Sequence, residues 1–154
     1  MRFSARQLVR GMHWWGPFRS PGIRLRRMSD DFREAEAELR LGWLNRNALG
    51  THFGGSLFAM TDPFYMLMLM RNLGPEYLVW DKAASIEYVA PARGTVTARF
   101  VLTEERVRQI RAQAAGGEKV LPEFDVEVVD GQGAVVARVH RTLYVRLKPR
   151  YRPA

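Results

Sequence analysis

The sequence predicts an α+β domain in which an antiparallel sheet of five or more strands wraps one apolar helix, and three observations predict it. Between Phe32 and Leu44 apolar and charged residues alternate, with Ala35, Ala37, Leu39, Leu41 and Trp43 on one face and Glu34, Glu36, Glu38 and Arg40 on the other. This period of two marks a half-buried strand, and it outweighs the helix preference of glutamate and alanine. The same alternation returns over 95–102 and, at greater length, over 134–148. Ser56 to Asn72 instead has apolar side chains on nearly every side of a helical wheel, and such a helix must be enclosed by protein. Enclosure by the sheet is the arrangement that satisfies both patterns.

Residues 4–13 form an amphipathic helix, with Ala5, Leu8, Val9 and Met12 opposite Arg6 and Arg10. WWGPF and SPG then break it into a turn-rich connector, whose Trp14 and Trp15 are expected to dock on the domain's own sheet. The strand over 32–44 and the loop NRNALGTHFGG lead to the helix 56–72, which Gly74 and Pro75 terminate. Strands over Tyr77–Ala90 and Thr95–Leu102 read as a hairpin around PARG. Thr103 opens a short helix that ends at the glycine pair 116–117, with Glu104 and Glu105 suiting its dipole. A second hairpin across DGQG joins Leu121–Val129 to Ala134–Lys148. In its last strand Val135, Ala137, Val139, Arg141, Leu143, Val145 and Leu147 share one face. The expected organisation is an N-terminal helix and connector over 1–30, one folded domain over 31–148 and a basic tail over 149–154.

The chain has 154 residues, a formal net charge of +8 and no cysteine. That excludes a disulfide framework, a thiol nucleophile and a thiolate metal site, and makes the cytoplasm the default compartment. His13, His52 and His140 lie far apart in no metal-ligand spacing, so neither a metal nor a cofactor is expected. The basic balance favours a partner bearing phosphates, coenzyme A or nucleic acid, beside the plainer role of keeping the surface solvated. The N-terminus lacks the apolar core of a secretory signal, and the longest apolar run, 53–70, is interrupted by Asp62 and Pro63, so no stable membrane insertion is expected.

The chemistry concentrates in NALGTHFGGSLFAMTD, residues 47–62. Asn47, Gly50, Phe53, Gly54, Gly55, Met60 and Asp62 follow the spacing of a hotdog-thioesterase junction, N-x-x-G-x-x-H-G-G-x-x-x-x-L-x-D. Over roughly 32–148 the chain resembles the hotdog-fold thioesterases, in particular the PaaI-like enzymes and a related uncharacterised group, the DUF4442 type. Phe53 stands where the motif has histidine, His52 is displaced by one position, and Pro63 follows the acid.

The resemblance implies an acyl-CoA thioesterase working as a homodimer or tetramer, its site shared between subunits. Thioester hydrolysis needs donors at the developing oxyanion and a base or nucleophile beside the carbonyl. The Gly55 amide, unsatisfied at a helix start, is the candidate donor, and Asp62 the candidate base or nucleophile. The resemblance implies that Asn47 bonds the attacking water or the thioester region, while His52, Phe53, Gly54, Ser56, Met60 and Phe64 are the expected substrate-binding set, with Met66 and Met68 further along the acyl tunnel.

Each residue also has a plainer use. The glycines permit a tight turn, Asp62 caps a new helix begun by Pro63, and Asn47 braces its loop. Ser56, His52 and Asp62 invite a serine triad, but there is no G-x-S-x-G elbow. Arg93, Arg99, Arg138 and Arg146 are candidates for the coenzyme's phosphates. The alternative function is a non-catalytic acyl-CoA or fatty-acyl binder on the same fold. A nucleic-acid binder rests on charge alone and lacks an aromatic and basic strand motif, so no nucleic-acid partner is expected.

Overall fold

In a computed structural model, which describes residues 3–153, the chain runs α1 (Ala5–Met12), α2 (Gly16–Arg19), β1 (Ile23–Met28), β2 (Glu34–Arg40), α3 (Gly54–Ala59) and α4 (Phe64–Leu73). It continues through β3 (Tyr77–Tyr88), β4 (Thr95–Val101), α5 (Glu104–Ala114), β5 (Glu123–Asp130) and β6 (Val135–Leu147) to a closing 3-10 turn (Pro149–Tyr151). The strands make one antiparallel sheet in the order β1-β2-β4-β5-β6-β3. Its inward rows, Ala35, Ala37 and Leu39 of β2, Val96, Ala98 and Phe100 of β4, and Val139, Leu143 and Val145 of β6, are buried with Met60, Phe64, Met68 and Leu69 of the helical segment. An aromatic chain crosses the core from Phe18 through Phe64 and Phe100 to Tyr65 and Phe124, with ring centroids 4.4–5.9 Å apart. Among the described residues no helix is long and apolar enough to cross a membrane.

Several elements depart from the sequence reading. Residues 23–28, read as connector, form the edge strand β1, paired with β2 from Ile23↔Leu39 to Met28↔Ala35. A bulge between Leu25 and Arg27 spaces its buried residues Ile23, Leu25 and Met28 by two and then three, which hides the period of two. β3 and β4 do not form a hairpin. β3 lies at the far edge against β6, while β4 sits between β2 and β5. Residues 91–94 are instead a crossing segment held by the loop before α3, through His52 N–H to Ala92 O and Leu41 N–H to Gly94 O.

The single helix expected over 56–72 is two helices. Pro63 has no N–H and its ring excludes the carbonyl four residues back, so the chain breaks at 60–63. Tighter bonds, Thr61 N–H to Phe58 O and Asp62 N–H to Ala59 O, both 3.1 Å, close the end of α3. Asp62 makes no side-chain cap on α4, so its carboxylate serves elsewhere.

α1 docks on β1 and begins with a capping box in which Ser4 and Gln7 each bond the other's backbone N–H. The tryptophans do not dock on the sheet as expected. Phe18, 1 % exposed, takes the buried place, leaving Trp15 tilted against it and Trp14 72 % exposed. The basic tail folds back, Arg152 Nε donating to Leu147 O at 3.0 Å.

Phe64 joins the aromatic chain from the first turn of α4 with no exposed surface. Replacing it with alanine should lower the unfolding free energy by about 3–5 kcal/mol, read from the guanidinium midpoint at constant slope. A loss below about 1 kcal/mol would mean that the helix pair does not centre the core.

Candidate functional site

The loop before α3 is built by two asparagines. Buried Asn45 donates from Nδ2 to the carbonyls of Pro21 and Arg40 at 2.7 Å each and accepts from Gly42 N–H at 2.8 Å. Asn47 accepts from the N–H groups of Leu49 and Thr51 at 2.9 and 3.1 Å, and its Nδ2 donates to Thr51 Oγ1 and His52 O at 2.9 and 3.2 Å. Both ends of the Asn47 carboxamide are thus engaged inside the loop. Gly50, at φ +73°, completes the turn in a conformation other residues adopt only with strain.

His52 is 3 % exposed and its Nε2 lies 2.9 Å from the Gly94 carbonyl. A carbonyl only accepts, so Nε2 carries the proton and Nδ1, buried without a partner among the described residues, is the bare nitrogen. Burial holds the ring below the usual histidine range, against the smaller effect of this bond. His52 is therefore a neutral tie between the loop and the start of β4.

Phe53 stands at the N-cap of α3, followed by the glycine pair. Among the described residues the N–H groups of Gly54 and Gly55 meet no acceptor, as first-turn amides do not within their own helix. At each position an added Cβ would require a neighbouring exposed side chain to shift. A Cβ on Gly54 would lie 2.7 Å from the Tyr88 hydroxyl, and one on Gly55 would enter the Phe53 ring. The pair opens on a cavity of about 480 Å³ lined by Asn47, His52, Phe53, Leu57, Tyr88 and Val89 among others. Arg93 approaches its rim, donating to Gly50 O at 3.3 Å. The other phosphate candidates are held away from it: Arg99 by Glu34, Arg138 by Glu127 and Arg146 by the Gly117 carbonyl.

Asp62 does not line this cavity, since it lies seven residues beyond Gly55, about 10 Å of helical rise. Its Oδ1 accepts from Arg141 Nη1 at 3.0 Å, and Asp81 Oδ1 accepts from the same nitrogen at 3.1 Å. Arg141 Nη2 reaches Thr61 Oγ1 at 3.3 Å, and the guanidinium lies 5.3 Å from the centre of the Phe58 ring. The Arg141 side chain is 2 % exposed and that of Asp62 57 %, so a buried cation holds an accessible carboxylate. Burial raises the Asp81 pKa above 3.8; Arg141 opposes this and neighbouring Asp62 adds to it.

One chain therefore keeps the two halves of the predicted chemistry apart, with bare amides at one end of α3 and the held acid past the other. Ser56 is buried on α3 and lines no part of the cavity. Met60, Phe64 and Met68 are fully buried core, and of the expected tunnel residues Met66 alone borders an open groove. Sequence reasoning missed Arg141, Asp81 and Tyr88. The first carried a signal, a charge in the apolar row of β6, and a buried arginine implies an acid partner.

A family model described as "Domain of unknown function (DUF4442)" matches residues 5–145. No curated protein matches the sequence. Among solved structures, the chain is similar to a Pseudomonas aeruginosa protein of unknown function, PA5026, described as a probable thioesterase. The identity is 19 % over 93 % of this chain and 96 % of that one, with a TM-score of 0.83. Thioesterase HI1161 of Haemophilus influenzae aligns at 15 % identity over 96 % and 93 %, with a TM-score of 0.69. A mutant of thioesterase PA1618 from Pseudomonas aeruginosa aligns at 12 % over 96 % and 97 %, with a TM-score of 0.70. The likeness establishes the hotdog fold.

Replacing Arg141 with methionine strands Asp81 on the inner side of the sheet and should cost about 3 kcal/mol, with much of the loss recovered by adding Asp81→Asn. Equal stability of the single and double variants in urea would remove the charge pairing from the account. Asp81 also sets a pH dependence. Its folded pKa is raised, so its contribution to stability is complete below the unfolded value of 3.8 and is lost as pH rises through the folded value. The stability of Asp81→Asn relative to the native chain should therefore increase as pH is raised across that window. A decrease in urea titrations over the same range would show that pairing with Arg141 outweighs burial.

Proposed function

The chain belongs to the DUF4442 family and has the hotdog fold, and on that premise we propose that it hydrolyses an acyl thioester, the acyl group carried by coenzyme A, at sites shared between two copies. The observation that carries this reading is the pair of bare amides at Gly54 and Gly55 together with the carboxylate of Asp62 held by Arg141. Oxyanion donors and a positioned acid are the two requirements of the reaction.

β3 supports the sharing. It is a twelve-residue edge strand, exposed along much of its length, and such an edge invites pairing. Its Asp81 lies beside the Arg141–Asp62 pair and its Tyr88 beside Gly54. Two β3 edges paired antiparallel about the Ala84–Ser85 bond would bring Tyr88 of each copy opposite Asp81 of the other. The amides of one chain would then face the acid of the second. A homodimer is the smallest assembly that completes the site, and a tetramer is two of these.

In the reaction, the thioester carbonyl oxygen accepts from the Gly54 and Gly55 N–H groups while water attacks its carbon. Asp62, with Oδ1 fixed by Arg141, takes the water proton through Oδ2; the tetrahedral intermediate expels the coenzyme thiolate, and the proton returns to that sulfur. Direct attack by Asp62 is the nucleophilic variant, with water then hydrolysing the anhydride. Asn47 acts by bracing the loop, Arg93 meets phosphate at the rim, and the cytoplasm is the compartment that supplies acyl-CoA. The Phe53 ring over Gly55 favours a second reading, a non-catalytic acyl-CoA binder, because the donor is screened until the ring turns aside.

Thiol release from short, medium, long and aromatic acyl-CoA substrates decides between them. Native turnover should fall at least about a hundredfold in Asp62→Ala with affinity for the substrate retained. Binding without turnover in the native protein would favour the binder, and turnover unchanged in the variant would remove Asp62 from the reaction.

A further inference from the structure

The N-terminal segment is unlike the rest of the surface. Asp30 is the first acidic residue of the chain, so residues 3–29 carry arginines and no acid. Within this segment Phe3 is 57 % exposed, Trp14 72 % and Trp15 43 %. α1 forms a ridge, since residues 100° apart place Leu8, Gly11 and Met12 on one flank and Val9, Arg10 and His13 on the other.

Each flank borders a cavity of different chemistry. On the first lies an apolar groove of about 390 Å³ between Leu8, Met12, Trp15, Pro63 and Met66, in which Gln7 is the polar member. A Cβ on Gly11 would meet nothing within 4 Å, so the groove stays open beside it. On the second lies a cleft of about 440 Å³ formed by Val9, Arg10, His13, Trp14 and Arg19. The Arg19 guanidinium sits 4.9 Å from the centre of the Trp14 ring, and among the described residues Arg6 and Arg10 form no ion pair.

We propose that the segment from α1 to α2 docks this protein on an anionic phospholipid bilayer, with Trp14 and Trp15 at the headgroup level and lipid phosphate in the cleft of Arg10, His13 and Arg19. Exposed tryptophans beside arginines, next to an apolar recess, match a surface whose outer layer is anionic and whose next layer is hydrocarbon. Charge complementarity selects this occupant over a second copy, because a two-fold contact through this face sets Arg6, Arg10 and Arg19 against themselves. It selects lipid over nucleic acid because phosphate contacts would leave the groove wet and empty. Docking is peripheral and stands apart from the thioesterase reading, so either can fail alone.

The test is co-sedimentation of the full chain with vesicles of phosphatidylcholine, alone or with about one part in three phosphatidylglycerol. The native protein should bind the anionic vesicles with a blue shift in tryptophan emission and ignore the neutral ones. Arg10→Glu with Arg19→Glu should weaken binding at least about tenfold. Trp14→Ala should weaken it several-fold without altering thermal unfolding, since that side chain is mostly in water. Arg108→Glu with Lys119→Glu makes the same charge change on another face and should leave binding nearly intact. The proposal is overturned if native protein stays in the supernatant, or if the two charge reversals have equal effects. It is overturned equally if Trp14→Ala dissolves a dimer, or if a DNA duplex competes the protein off vesicles and binds it through the same residues.

Discussion

The structure depends on one guanidinium taken out of water. Arg141 lies in the inward row of β6, where every neighbour in the row is apolar, and it is kept there by Asp62, Asp81 and the Thr61 hydroxyl. These partners come from the break between α3 and α4 and from the edge strand β3, so one cation ties the helices to the sheet at the point where the chain changes direction. A buried charge with one partner is costly; with two carboxylates it is over-compensated, and the excess negative charge is divided between a carboxylate facing solvent and one pushed toward its neutral form.

That tie explains why Pro63 is tolerated in the middle of the most apolar segment. A continuous helix would carry residue 62 onward in the register of α3, into whichever direction the apolar packing demanded. The break frees the turn at 60–63 to present the acid to Arg141 on one side and to water on the other. It also leaves α3 short, with its opening amides close to β3's far end and its closing turn close to β3's middle. The bare amides of Gly54 and Gly55 and the carboxylate of Asp62 thus lie towards opposite ends of the α3 segment, each beside a residue of β3.

Basic residues are sorted by the same logic of partners. On the outer face of the sheet Arg99 and Arg138 meet glutamates across strands, which makes them part of the sheet's own surface. The arginines of α1 and α2 have no acid within their segment to meet. Residues 1–30 hold seven arginines and one acid, most of the chain's surplus of +8, and Trp14 and Trp15 are exposed in the same segment.

The sequence by itself determined the class of fold, the inward faces of β2, β4 and β6, the enclosure of the apolar helical segment, though not its break at 60–63, and the glycine-and-acid spacing, because these are written in local periods of two and near four. It also held the oddity of Arg141 among valines and leucines, although not the identity of its partners. What only the tertiary structure decided were relations between distant residues. The bulge in β1 masked an edge strand, and PARG became a crossing because β3 finds its best partner in the thirteen-residue β6 and not in its chain neighbour β4. Asp62 became an arginine's partner and not a helix cap because Arg141, 79 residues away, offers a buried charge that an exposed helix end cannot match. Local pattern sets which face of an element is apolar. Which elements meet, and which charges they carry inside, is settled only when the whole sheet closes around the helices.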